Sequence, residues 1–447
     1  MIRLNVFAKQ ALLTTGTKIV NLGLGLLISI LLARGLGPEG RGIYTLAILF
    51  PTLIVTFSNL GLGPATVYYV AQEKYPLKNV FGSNTLMSLL LGVIGILAGL
   101  LLAAIFPTEI FPEVPRTTLY LALTLVPLNL FLGQVGTQIL LGSRRIKDIN
   151  TAAILSSLSF LVLLFIAIVS LGAGVQGAVW ANVMSSALMC VLLFIWIRRI
   201  VGGISLKIAR DYLRDALDYG LKTYLGNVIG FLNYRIELFI LGFLMPAAAL
   251  GFYSVAVGLA ERLWIVSQSA SMLIFPVISA EKDEQKRNEF TPIISRNVLL
   301  ITLIGAIVLF FLSPWLIVLL YSQSYLPTVQ LFRILLPGIV FLSASRVLAN
   351  DIAGRGKPLL NTYVGGFGLV VQVILNLVLI SKIGVAGSAW ATSISYTLIF
   401  MVRVVVYSRV SGNTYAKIIL PQKTDLVLYQ RLVRESWRWA KRQFNRE

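Results

Sequence analysis

The sequence predicts an all-α, polytopic membrane protein: twelve transmembrane helices in two parallel-repeat six-helix lobes. Three observations predict it. The composition is too apolar for a chain that folds in water, twelve apolar runs are each long enough to cross a bilayer, and stretches of the first half recur in the second.

The protein has 447 residues, of which 57% are hydrophobic and 13% charged, with a mean hydropathy of +0.85. Soluble domains run nearer ~45–50% apolar and ~25% charged, so a soluble enzyme is excluded. There is no His, which removes histidine-based catalysis and most zinc sites. The single Cys190 lies in an apolar run and forms no disulfide framework. Nothing in the sequence calls for a cofactor.

A bilayer core of about 30 Å needs about 20 apolar residues per helix. Such runs fall at 11–33, 43–63, 84–106, 117–141, 151–171, 177–197, 220–244, 248–279, 293–312, 328–350, 360–380 and 385–407. The second contains Pro51 and Asn59, and the eighth is overlong. The first is too long for a signal-peptide core and reads as an uncleaved span. The Gly-rich run at 35–42 follows no strand and reads as a tight turn rather than a phosphate cradle.

The net charge of +20 is explained by its distribution. With the N-terminus cytoplasmic, the inner segments carry most of the Lys and Arg, including Arg144, Arg145 and Lys147 in one loop and Arg198, Arg199, Lys207, Arg210 and Arg214 in another. The outer loops hold Arg34, Arg41, Arg116 and Lys382. This positive-inside bias places both termini in the cytoplasm and calls for no nucleic acid.

The repeat is carried by four collinear matches. Gly174-Val175-Gln176-Gly177-Ala178-Val179-Trp180-Ala181 recurs 210 residues later as Gly384-Val385-Ala386-Gly387-Ser388-Ala389-Trp390-Ala391, with five of eight positions identical. Pro127 maps onto Pro337 at the same offset, Gly42-Ile43-Tyr44 onto Gly251-Phe252-Tyr253 at 209, and Asn150-Thr151 onto Asn361-Thr362 at 211. Six spans per unit is an even number, so both copies enter the membrane from the same side. The expected divisions are a lobe over 1–205, a lobe over 206–411 and a tail over 412–447. Such repeats place substrate between lobes that rock against each other, which points to a transporter.

An ionisable residue at mid-bilayer costs at least about 2.5–3.5 kcal/mol and faces protein or water. The set is Lys18 in span 1, Arg235 and Glu237 in span 7, Glu261 and Arg262 in span 8, and Arg333 and Arg346 in span 10. Arg403 lies near an inner end, where it is expected to snorkel. Arg235 and Glu237 are roughly 200° apart around their helix, so each looks to another helix. Ion pairs between spans 7 and 8 are one role for Arg235, Glu237 and Glu261; coupling to a proton or sodium ion is another for the two glutamates. Five cations against two anions leave a positive surplus, which suits a phosphate-bearing substrate because arginine offers forked donors to phosphate oxygens. Lys18, Arg262 and Arg346, with Arg333 behind them, are the candidate headgroup contacts. Asn21, Gln134, Gln138, Asn227 and Gln268 are candidates for sugar hydroxyls, with interhelical hydrogen bonds as the alternative role. Asn233, Gln372 and Asn376 share that choice.

After Pro421, Tyr429, Val433, Trp437, Ala440 and Phe444 form one helical stripe and Arg431, Arg434, Arg438, Lys441 and Arg442 the other. The pattern predicts a basic amphipathic helix on anionic membrane lipid.

The chain resembles the multidrug/oligosaccharidyl-lipid/polysaccharide exporter superfamily, and within it the polysaccharide (O-antigen-type) flippases. The resemblance rests on Leu32-Ala33-Arg34-Gly35-Leu36-Gly37-Pro38 with Gly42-Ile43-Tyr44, on Tyr234-Arg235-Ile236-Glu237, on Gly251-Phe252-Tyr253-Ser254-Val255-Ala256 leading to Ala260-Glu261-Arg262-Leu263 and Pro276-Val277-Ile278-Ser279, and on Gly384-Val385-Ala386-Gly387. It covers about residues 5–410 and implies a two-lobe carrier in the bacterial inner membrane that flips undecaprenyl-pyrophosphate-linked oligosaccharide to the outer leaflet. It also implies that Arg262, in its acidic-Arg-Leu stretch, contacts the pyrophosphate. Related precursor flippases carry several basic residues in span 1, where this chain has Lys18 alone.

Two rivals differ in what they require. A cation-coupled multidrug exporter of the same fold relies on buried carboxylates, and the spans of the first lobe hold none at depth. A membrane glycan polymerase needs charged residues on sizeable outer loops, whose acids here are Glu39, Glu109 and Glu113. Mid-helix prolines at Pro51, Pro127, Pro276 and Pro337 are the expected bending points for alternating access.

Overall fold

The computed structural model describes residues 2–105, 111–203, 208–281, 283–422 and 425, and among these the chain is helical, without strands. The amphipathic stripe expected over residues 429–444 lies outside them. Among the described residues, eleven helices are long and apolar enough to cross a membrane. The first, Ile2–Ser58, is two helices meeting at Gly37, whose φ of 67° and ψ of 179° belong to neither. With its arms counted apart, the number agrees with the twelve expected runs. The Gly-rich turn is thus compressed to one residue in a conformation that only glycine adopts readily, and Pro38 opens the second arm, a position where its missing N–H costs nothing.

That second arm ends where Leu60 and Gly61 take positive φ, 50° and 72°, and a short helix, Leu62–Ala71, follows. The overlong eighth run resolves into helices Ala247–Ala260 and Trp264–Ala280 joined by a 3-10 turn at Glu261–Leu263. Single π turns interrupt the spans at Leu132–Gly136 and Ile166–Ser170.

Side chains sort as lipid demands. On helix Leu77–Ile105, Leu89, Val93, Leu97 and Leu101 are exposed, while Gly92, Gly95 and Gly99 face inward, where an added Cβ would come within 2.5–2.8 Å of Pro127, Val126 and Leu123. Small residues that let helices close together, with bulky apolar groups outside, are the membrane pattern.

The chain divides into two compact units. The first comprises Met1–Gly258, Ser313–Phe332 and Gln372–Ala391; its core includes Phe81, Phe131, Val135, Ile139, Leu140, Met189, Leu193 and Ile197. The second comprises Leu259–Leu312, Arg333–Val371 and Thr392–Glu447. In it, Ala344, Leu348, Ile352, Phe400, Val404 and Tyr407 pack with Ile418 of the short helix Tyr415–Ile419, and Asp425 closes on the buried Arg296.

Candidate functional site

In the first unit, Glu237 is fully buried. Gln372 Nε2, on another helix, donates to its Oε2 at 3.0 Å. The polar chain continues: Asn376 Nδ2 donates to the Gln372 carbonyl at 2.8 Å, and Ser388 Oγ donates to Asn376 Oδ1 at 2.7 Å. Three helices, Arg210–Leu244, Pro358–Ile383 and Val385–Ser411, are thereby tied around one carboxyl group. Gln372 can serve Glu237 whether or not the carboxyl holds a proton. One turn earlier Asn233, 6% exposed, donates to the Ile229 carbonyl. Arg235 Nη1 donates to the Tyr234 carbonyl at 2.9 Å.

The second unit holds the arginines. Glu261 and Arg262 form the 3-10 turn between two helices, a local change of winding of the kind that marks hinges. The Arg346 guanidinium lies 4.9 Å over the ring of Trp264, two residues beyond Arg262. Trp264 is buried and packs on Tyr396 with ring centroids 6.3 Å apart. Ser345, the neighbour of Arg346, accepts a hydrogen bond from Arg403 Nη1 at 3.0 Å. Arg403 is 7% exposed, which corrects the expectation that it snorkels: it points into the bundle. Of the acids in this unit, Asp351 is buried against Arg355 and Thr291, and Asp425 against Arg296.

Arg333 has a structural duty. Its Nε donates to the Phe310 carbonyl at 3.0 Å and its guanidinium sits 4.6 Å over the Phe310 ring. The helical donor for that carbonyl would be residue 314, which is Pro314 and has no N–H. Arg333 borders an otherwise apolar groove of about 530 Å³ lined by Leu299, Leu303, Ile307, Phe311, Leu336 and Val340.

Of the remaining candidates, Lys18 and Asn21 are half-buried on helix Ile2–Ser58, and Asn21 Oδ1 is a buried acceptor without a hydrogen-bond partner. Gln138 is half-buried beneath Gly63. Asn227 and Gln268 are exposed. Gln134 is fully buried in its π turn, donating to the Asn59 carbonyl at 3.1 Å and accepting from Ser88 Oγ at 3.4 Å. It is occupied by the protein itself. Lys18, Asn21, Gln138 and Asn227 belong to the first unit, Arg262, Arg333, Arg346 and Gln268 to the second.

A family profile described as polysaccharide biosynthesis protein matches residues 31–330. The chain belongs to this family. A Shigella flexneri protein whose name proposes it as an O-antigen transporter is 25% identical over 398 residues, covering 85% of this chain and 92% of the relative. Among solved structures, the lipid II flippase MurJ in an inward closed conformation superposes with a TM-score of 0.71 at 18% identity, over 89% of this chain and 87% of that one. An inward-facing multidrug resistance transporter of the MATE family, in the MOP superfamily, gives a TM-score of 0.70 at 19% identity, over 87% and 94%. The fold is therefore the multi-helix fold shared with MurJ and the MATE transporter.

Proposed function

We infer that this family member flips undecaprenyl-pyrophosphate-linked oligosaccharide from the inner to the outer leaflet by alternating access of the lobes 1–205 and 206–411, and is not an enzyme. It resides in the bacterial inner membrane with both termini in the cytoplasm. The observation that carries this reading is the gathering of Arg262, Arg346 and Arg403 on three helices of one unit, with Arg346 on Trp264 and Arg403 on the adjacent Ser345. A cationic interior of this kind favours a phosphorylated guest, since guanidinium groups bind phosphate oxygens with two parallel donors.

In the second unit Arg262 and Arg346 are the headgroup contacts, and in the first unit Lys18 is a separate candidate for the same chemistry. Asn21, Gln138, Asn227 and Gln268 offer donors and acceptors to sugar hydroxyls, and the polyprenyl tail stays in lipid. The 3-10 turn at Glu261–Leu263 and Pro337, which sits inside helix Pro327–Gly354, are where bending is cheapest. Glu237 is the proton-accepting group if the cycle is coupled to protons.

A second reading, a cation-coupled multidrug exporter, is favoured by the likeness to the MATE transporter and by the buried carboxyl of Glu237. Proteoliposomes separate the two. The flippase reading predicts inward-to-outward movement of a fluorescent polyprenyl-pyrophosphate oligosaccharide and no accumulation of a cationic dye; dye export without glycan-lipid movement overturns it. Collapsing proton and sodium gradients in the same vesicles tests coupling, which is removed if flipping continues unchanged.

A further inference from the structure

Arg41 was expected among the outer-loop charges, yet its Nε and Nη1 atoms are buried and make no hydrogen bond. Its guanidinium lies 5.8 Å from the centre of the Tyr44 ring, and among the described residues the ionisable groups that act on it are the phenols of Tyr44, Tyr321 and Tyr325. All of these residues belong to the first unit.

The walls are fixed by the protein. Tyr44 is 7% exposed and its hydroxyl accepts from Asn182 Nδ2 at 3.0 Å. Tyr325 is fully buried and donates to the Ala33 carbonyl at 3.2 Å. Tyr321 is 1% exposed and shares a hydrogen bond with Ser29 Oγ at 3.3 Å. Arg34 shows what a satisfied arginine looks like nearby: its Nε and Nη2 donate to the Leu320 and Leu319 carbonyls at 2.9 and 2.5 Å, closing the last turn of helix Glu284–Tyr321 as a cation at a helix C-terminus should. Among the described residues, no acceptor meets Nε or Nη1 of Arg41.

A shielded guanidinium with unmatched donors is costly, and its natural complement is an oxyanion taken by the fork of the guanidinium. We propose that Arg41, framed by Tyr44, Tyr321 and Tyr325, is an oxyanion site at the end of the molecule marked by the Gly37 break, which is the outer end when the N-terminus is cytoplasmic. The occupant is a phosphate of the lipid-linked substrate as it leaves, or the carboxylate of an acidic sugar in its glycan. The proposal rests on the flippase reading for its place in the cycle, but not for the existence of the site.

Equilibrium dialysis of the purified full chain in lipid nanodiscs tests it, with radiolabelled inorganic pyrophosphate in one arm and glucuronate in the other. An Arg262→Gln background weakens the central contact. In that background one of the two probes binds, Arg41→Gln abolishes the binding, and Arg41→Lys weakens it several-fold because an ammonium lacks the fork. Pyrophosphate binding identifies the phosphate source, glucuronate binding the acidic sugar. Binding unchanged by both Arg41 substitutions, or no binding of either probe, overturns the site. Should Arg41→Gln fail to fold, the Arg41→Lys comparison decides alone. A chain that binds a probe through Arg41 yet moves no glycan lipid keeps the site and loses the flippase reading.

Discussion

Gly42 and Gly251 close on each other's helices reciprocally. A Cβ built on Gly42 would stand 1.8 Å from the Ala247 carbonyl oxygen, and one on Gly251 would stand 1.9 Å from the Pro38 carbonyl oxygen. Ala247 follows Pro38, and Gly251 follows Gly42, by the 209-residue offset of the internal repeat. Equivalent positions of the two copies therefore meet across a local two-fold relation, as in an isologous interface. The same two residues that register the repeat in the sequence are the ones whose missing side chains let the helices touch.

Replacing either glycine by alanine forces backbone apart from backbone. Overpacking of this kind costs about 1–3 kcal/mol, so Gly42→Ala and Gly251→Ala each lower the midpoint of thermal unfolding in detergent. Because both open the same crossing, the double variant loses less than the sum of the single losses. Strict additivity would show that the two contacts are independent.

Glu237→Gln keeps an acceptor oxygen for Gln372 Nε2, so the variant folds with an unfolding midpoint close to that of the parent chain. It cannot exchange a proton at that position. Flipping by this variant in proteoliposomes no longer responds to an imposed proton gradient, whereas an undiminished response assigns coupling elsewhere.

Arg346→Ala removes the cation from the Trp264 face, an interaction worth about 0.5–2 kcal/mol depending on desolvation. The emission attributable to Trp264, isolated by difference from a Trp264→Phe chain, shifts when Arg346 is lost and on addition of pyrophosphate to the parent. An emission indifferent to both would separate Trp264 from the headgroup site.

Asp425 ties the segment after the last span to the bundle: its carboxylate accepts from Arg296 Nε and Nη2 at 2.9 and 2.7 Å and from the Gln422 N–H at 2.8 Å. Burial alone would push its carboxyl up, but the Arg296 hydrogen bonds, the Gln422 amide and the Arg296 charge together hold it below the usual carboxylate range. A depressed carboxyl stabilises the anchored state above the unfolded value, near pH 4, and the contribution is lost as pH falls through the folded value. Amide protection over residues 412–422, taken relative to the intrinsic exchange rate at each pH, is therefore high at neutral pH and falls below about pH 4. Asp425→Asn leaves Arg296 buried without its counter-charge, a loss of about 3–5 kcal/mol for such pairs, and shows low protection at all pH values.

Much of the fold was legible because lipid imposes a one-dimensional rule: runs of about 20 apolar residues must be helices that cross. The turn near Gly37 was marked by its glycines, though only the structure reduced it to one residue, whereas the break at Leu60 and Gly61 falls inside the run expected over 43–63. Side-chain roles were less legible, since position along a span does not say which face is packed. Arg403 and Arg41 both sit near span ends and read as rim charges, yet Arg403 points inward onto Ser345, 58 residues away in sequence, and Arg41 buries its Nε and Nη1 atoms beside Tyr44. For Gln134 the sequence left glycan contact and interhelical hydrogen bonding both open, because its partners Asn59 and Ser88 lie 75 and 46 residues away, beyond any local pattern. Arg333 had a findable signal: Pro314 leaves the Phe310 carbonyl without a helical donor, and a long donor side chain elsewhere must serve it.

The central claim is that interior cations hold the anionic headgroup of a lipid-linked glycan during flipping. Lys18→Gln and Arg262→Gln, matched for expression and reconstituted separately, test it most directly through the rate at which a fluorescent polyprenyl-pyrophosphate oligosaccharide crosses the bilayer. Losing one charge-assisted contact to the substrate removes about 1.5–3 kcal/mol, so each variant is expected to flip at least about tenfold more slowly. Parental rates in both would contradict the account.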